Sequence, residues 1–223
     1  MLTLSEQLLL LGLNDEKGSV VFSASTALPY GLAGAILLEL FFMNRISIKD
    51  NKVKLQNADK TNNEILDDAL KLIRSSKKQR DTKYWIQLFQ SKLKKLQERL
   101  AEQLVAKKVL SREAHSFMWL INYNRYPTHN ELPEQNVRER IKSIVLKRAE
   151  PTDEEVSLIS LIKVCELTNE IFEKSERKKA KAQIEKIVAK QSVSSAISST
   201  MDEIMTAIMV IIIASTVTTT VIT

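Results

Sequence analysis

Apolar positions along the chain repeat mainly with helical spacing. Leu fills positions 2, 4, 8–11 and 13, behind Thr3 and Glu6, the Thr-x-x-Glu pattern of a capping box. The run stops at Gly12, a residue suited to the left-handed position after a helix. A polar turn with Gly18 leads to Val20, Val21 and Phe22. Gly31 and Gly34 open a second helix that reaches Met43 and is apolar all round, as a core helix is. Asn44 and Arg45 end it. Ile46 and Ile48 then alternate with Arg45, Ser47 and Lys49, and Val53 and Leu55 alternate with Lys52, Lys54 and Gln56. Asp50 and Asn51 tolerate positive φ, so residues 45–56 read as a tight hairpin with one apolar and one basic face.

Further on, 56–63 is a polar loop. Asn63 can cap a helix whose stripe is Ile65, Leu66, Ala69, Leu70 and Ile73. A charged break over 75–82 precedes one or two helices over 84–108. Trp85, Leu88, Phe89, Leu93, Leu96, Leu100 and Leu104 form their inner side. Segments 35–48 and 98–111 share a shape of helix, polar turn and strand, a weak internal echo. Phe117, Trp119, Ile121 and Tyr123 alternate as in a strand, and Pro127, Asn130 and Pro133 break the pattern. A basic amphipathic helix over 137–148 follows. The next helix, 151–173, is opened by Thr152 and Asp153 and packs through Val156, Leu158, Ile159, Leu161 and Ile162. Residues 174–190 are highly charged.

Residues 204–223 carry no charge, and their length meets the criterion of ~20 residues for a membrane span. Thr216, Thr218, Thr219 and Thr220 are polar, however, and Asp202 and Glu203 give an acidic flank. The reading is a buried core helix over 201–214, then a strand or loose tail. The expected fold is mainly α: one globular helical domain over 1–223, with short hairpins near 45–56 and 117–130 and an apolar C-terminal core helix and tail over 201–223.

Composition agrees with this pattern. Hydrophobic residues make up 44% of 223, enough for a sizeable core, while four Gly and four Pro are too few for a sandwich or barrel. The net charge of +6 favours phosphates, on lipid headgroups or nucleic acid. Cys165 is the single cysteine, so no internal disulfide forms; it sits in an apolar helical pattern and reads as a small buried residue in a reducing, intracellular setting. The N-terminal helix contains Glu6 and lacks a basic leader, so it is not a secretory signal.

Chemistry-bearing motifs are missing. Gly31 and Gly34 lack the spacing and strand context of a dinucleotide loop. Two histidines, His115 and His129, with one cysteine make no zinc site of the usual kind. No nucleophile motif frames a serine. The expectation is a non-enzymatic protein without metal or cofactor.

Two blocks resemble the Golgi phosphoprotein 3 family. The first comprises Leu2-Thr3-Leu4, Glu6, Leu9-Leu10-Leu11-Gly12-Leu13, Gly31-Leu32, Gly34, Glu39-Leu40 and Asn44-Arg45-Ile46. The second is residues 98–110, ERLAEQLVAKKVL. The resemblance implies a peripheral membrane protein that reads phosphatidylinositol 4-phosphate with a Trp, a helix-start Arg and a pair of basic residues. These four positions fall on Ser23, Ala33, Lys94 and Gln97, and only Lys94 keeps its chemistry. An Arg donates to phosphate in a bidentate way that Ala cannot replace. Lys92, Lys95 and Arg99 can rebuild a less selective anion patch, so the expected partner is an anionic lipid surface.

The family also uses an apolar β-hairpin for membrane insertion or self-association. Here 117–126 stands in its place, with Trp119, Tyr123 and Tyr126 suited to a membrane interface or a homo-oligomer contact. The chain opens directly at the first helix, without the arginine-rich arm of eukaryotic members. The expected location is therefore cytoplasmic, peripheral to the membrane, as for a prokaryotic-type relative. Two other readings stand beside this one. Helix and basic hairpin over 31–56 look like a winged-helix fragment with Lys49, Lys52 and Lys54 on phosphates. The preceding helix is too apolar to read bases, which makes nucleic acid a poor partner. A scaffold binding acidic proteins is the third.

Overall fold

The computed structural model describes residues 1–93, 95–117, 121–189 and 195–220. Ten α-helices and five short strands occur among them. At the centre runs α2 (Leu28–Phe42), with every residue from Gly31 to Leu40 buried. It is uniformly apolar, so it has no face to show to water. Around it pack α1 (Leu4–Leu11), α4 (Thr82–Lys92), α5 (Leu96–Ala106), α7 (Asp153–Val164) and α10 (Ser195–Thr220). Gly34 lets α10 approach closely, since a Cβ there would stand 2.7 Å from Ile208 Cδ1.

The capping box of α1 forms as expected: Glu6 N–H donates to Thr3 Oγ1, and Thr3 N–H to the Glu6 carboxylate. The same Glu6, fully buried, accepts from Lys107 Nζ at 2.6 Å, tying α1 to the end of α5. Ser5 N–H donates to Glu39 Oε1 at 2.6 Å, tying α1 to α2. Burial raises the Glu39 pKa against that hydrogen bond. Gly12 is not left-handed: its φ is −95°. A Cβ there would sit 2.8 Å from Leu28 Cδ2, so glycine serves the contact between α1 and α2.

Asn44, Lys108 and Glu166 take the left-handed helix ends, with φ of 53°, 58° and 60°. Each end closes alike. Arg45 N–H donates to Leu40 O, Val109 N–H to Leu104 O and Leu167 N–H to Ile162 O. This six-to-one bond belongs to the Schellman motif. The internal echo in the sequence is thus a shared backbone ending. The third instance breaks the helix expected over 151–173 into α7 and the short α8 (Thr168–Ile171).

The first hairpin is as expected. Strands β1 (Ile46–Lys49) and β2 (Lys52–Leu55) pair antiparallel about Asp50 and Asn51, both left-handed. The charged break hides a third strand, β3 (Arg80–Asp81), paired to β2. Asn63 caps α3 (Glu64–Ser75), and the five expected apolar residues are its buried side.

The second hairpin differs from the expected strand over 117–123. Strand β4 (Glu113–Phe117) pairs with β5 (Ile121–Arg125), and residues 118–120 lie outside the described ones. β4 carries Glu113, Ala114, His115 and Ser116, so it lacked an apolar alternation to mark it. Pro133 sits in the first turn of α6 (Leu132–Lys147), where its fixed φ suits a helix, and does not break the segment. The charged stretch forms α9 (Arg177–Ala189), packed on α6 and α7.

The C-terminus also differs from the expected tail. α10 continues to Thr220, because β-branched residues lower helix propensity only slightly and no Gly or Pro stops it. Met201, Ile204, Met205, Ala207, Ile208 and Ile211 are buried, but Met209, Val210 and Ile213 are exposed. Cys165 is buried against α2: a Cβ on Gly31 would stand 2.3 Å from its Sγ. Desolvation pushes its thiol up to about 12.

Candidate anion-binding site

Four hydrogen bonds and one cleft fix how the helices run. Asn51, at the hairpin turn, accepts from Thr82 Oγ1 at the start of α4, and its N–H donates to Glu203 in α10 at 3.0 Å. Gln90, near the end of α4, lines a cleft with Pro29 and Leu32 at the start of α2. Helix α4 therefore runs from the hairpin toward the beginning of α2, where α5 starts, and α10 leaves the hairpin at Glu203 and packs Ile208 on Gly34, so it runs the same way. Arg99 Nη2 donates to Asp68 Oδ2 at 2.8 Å and Gln103 Nε2 to Asn63 Oδ1 at 3.2 Å, so α3 runs antiparallel to α5 and ends at the α4–α5 junction.

At that junction α3, α4 and α5 enclose a cleft of about 610 Å³. Lys71, Arg74, Lys92 and Arg99 line it, against the single carboxylate of Asp68. Asp68 Oδ1 accepts from Lys71 Nζ at 2.9 Å, while Oδ2 holds Arg99. Lys71 first, then Arg99, hold the Asp68 carboxyl below the usual range against desolvation. It stays charged at neutral pH, and the cleft keeps three positive charges in excess. A four-cation cleft with mixed Arg and Lys donors can take a phosphate or carboxylate.

Of the residues expected from sequence, Lys92 and Arg99 line this cleft. Lys95 turns to the other side of the junction, where its Nζ sits 2.8 Å from Glu98 Oε2. Gln97 lines that second cleft with it. Ala33 is buried in α2, and Ser23 Oγ donates to Glu170 Oε1 at 2.8 Å. Ser23, Ala33 and Gln97 thus form no cationic pocket, and Lys94 lies outside the described residues. Lys71 and Arg74 were missed. Their only signal is spacing: with Asp68 they recur every three residues along α3.

On the second hairpin, Tyr123 is 40% exposed, stacks on His115 at 5.7 Å and carries the Arg125 guanidinium over its ring. Tyr126 is buried instead, and its hydroxyl donates to Glu102 Oε1 at 3.1 Å. Burial, then Glu102, raises its pKa. Tyr126 therefore holds the hairpin base to α5 and does not face an interface. Trp119 lies outside the described residues.

Lys49, Lys52 and Lys54 are exposed on the first hairpin. The length of α4, about 16 Å, separates them from Lys92. The buried α2 leaves no exposed recognition helix before that hairpin, contrary to a winged-helix reading. Among the described residues, no group of three or more His, Cys, Asp or Glu could hold a metal ion.

The family described as Golgi phosphoprotein 3 (GPP34) matches residues 4–204. Vacuolar protein sorting-associated protein 74 of Schizosaccharomyces pombe is 30% identical over 168 residues, which is 66% of this chain and 49% of that protein. The chain spans about half the length of this curated relative.

Proposed function

Because the chain belongs to the Golgi phosphoprotein 3 family, we propose that it is a non-enzymatic peripheral membrane protein that binds anionic lipid headgroups through the cleft at the α4–α5 junction. The observation that carries this reading is the convergence of Lys71, Arg74, Lys92 and Arg99 on one cleft with one carboxylate. Headgroup phosphates approach the cations from solvent and compete with Asp68 for Arg99 and Lys71. Of the four positions that resemblance assigns to phosphatidylinositol 4-phosphate, three hold the uncharged Ser23, Ala33 and Gln97, and only Lys94 keeps a charge. Selectivity is accordingly relaxed toward anionic lipid in general. Attraction of this kind weakens as salt shortens the screening length.

Co-flotation with three vesicle types tests the reading: phosphatidylcholine alone, phosphatidylcholine with phosphatidylserine, and phosphatidylcholine with phosphatidylinositol 4-phosphate. Both anionic types are expected to bind at low salt. The double variant Lys71→Ala, Arg74→Ala is expected to bind about thirtyfold less, at ~1 kcal/mol per basic residue near the surface. Equal binding by variant and parent would move the site elsewhere. Binding only to phosphatidylinositol 4-phosphate would restore the selective pocket.

A further inference from the structure

α10 carries an exposed apolar face beyond its hairpin contact. Met209, Val210 and Ile213 are 45%, 42% and 62% exposed, at i, i+1 and i+4 on one helix. No charged residue occurs from Ile204 to the end of the chain. The proximal half is core: Ile204 and Ile208 pack on Gly34, and Glu203 is held at the hairpin turn. Since α10 runs with α4 toward the start of α2, its exposed apolar side chains lie at the end of the bundle that carries Lys92 and the α4–α5 junction. Phe22, on the turn just before α2, is 95% exposed near the same end.

An apolar surface beside a cationic one matches the two layers of an anionic bilayer, with acyl chains under charged headgroups. We infer that the exposed face of α10 formed by Met209, Val210 and Ile213 is a hydrophobic anchor that enters the outer part of an anionic bilayer while the cleft at the α4–α5 junction holds headgroups. The inference rests on the anionic-lipid reading above. Length decides between anchoring and spanning. From Met209 to Thr220 the helix advances about 17 Å, roughly half of the ~30 Å hydrocarbon core. α10 packs on α2, α4 and α7, and Ile211 stays buried within this stretch, so only the exposed face enters one leaflet and the helix does not cross.

The test uses the full chain with Val210→Cys carrying an environment-sensitive fluorophore. Cys165 is buried with its thiol pushed up to about 12, so it does not compete for label. With phosphatidylcholine–phosphatidylserine vesicles, the probe is expected to shift to the blue and to be quenched by spin-labelled lipid. The same label at Lys49→Cys, on the exposed hairpin, is expected to stay aqueous. Val210→Asp is expected to lower vesicle partition tenfold or more, the scale of one buried aliphatic side chain. Vesicle binding with an aqueous probe at Val210→Cys would overturn the anchor and leave the headgroup site standing. A buried probe on neutral vesicles alone would support the anchor and remove the headgroup site. Failure to bind any vesicle would overturn both. A blue shift without lipid that fades on dilution would assign this face to a second copy of the chain, and overturn the anchor.

Discussion

Single residues here carry more of the design than their types announce. Glu6 is at once the capping partner of Thr3 and the buried acceptor for Lys107, so one carboxylate joins α1 to α5. Glu134, on the first turn of α6, is 4% exposed and pairs with Arg138. Burial is the largest influence on it; Arg138 opposes and Asp15 adds to the rise, and the carboxyl is pushed up to about 7. The folded state thus holds this proton more tightly than the unfolded chain, whose value is near 4.5. Its contribution to stability is complete below that value and is lost as pH rises through about 7. Urea melts at pH 5, 6, 7 and 8 are expected to show parent stability falling by on the order of 2 kcal/mol across this window. Glu134→Gln is expected to flatten that decline, and an unchanged slope would assign it to another group.

At the scale of elements, the three matching helix ends show how a motif outlives its usual residue. Each uses a left-handed residue, yet none of Asn44, Lys108 and Glu166 is glycine. A left-handed conformation costs a residue with a Cβ about 1–2 kcal/mol, which glycine avoids while losing more entropy on folding. Lys108→Gly is therefore expected to stabilise the protein by about 0.5–1 kcal/mol in thermal or urea unfolding. Destabilisation would mean that the Lys108 side chain makes a contact worth more than its strain. The hairpins illustrate how legibility depends on burial. β1 and β2 announced themselves because Ile46, Ile48 and Val53 are buried on one face. β3 and β4 are short and polar, and only their partners define them. Helix breaks were equally hidden, since Glu166 carries no sequence mark of a left-handed residue.

For the whole molecule, the decisive feature is that α3 ends, α4 ends and α5 begins at one junction. This brings Lys71 and Arg74 to Lys92 and Arg99 from three different helices. Asp68 is the counterweight, so removing its charge is informative. Asp68→Asn frees Lys71 and Arg99 and adds one net positive charge. Partition onto phosphatidylserine vesicles at low salt is expected to rise about fivefold, and the gain to vanish at high salt. Weaker binding would show that Asp68 positions Arg99 for the headgroup, and that its charge does not compete.

Local signals alone determined much of this protein: the Thr3–Glu6 cap, the core character of α2, the Asp50–Asn51 hairpin and the buried Cys165. Each depends on neighbours within a few residues, through 3.6-residue or two-residue periodicity and the φ preferences of turn residues. The family, too, was legible, in the blocks at 2–46 and 98–110. Tertiary structure alone decided which charges share a cleft. It sent Lys95 to Glu98 and out of the cleft that Lys92 lines, buried Tyr126 on Glu102, and left Met209, Val210 and Ile213 of α10 exposed beside the buried Ile208 and Ile211. The physical reason is one of range: a helix surface carries many charged or apolar side chains, and only the packing direction of its neighbours determines which of them meet.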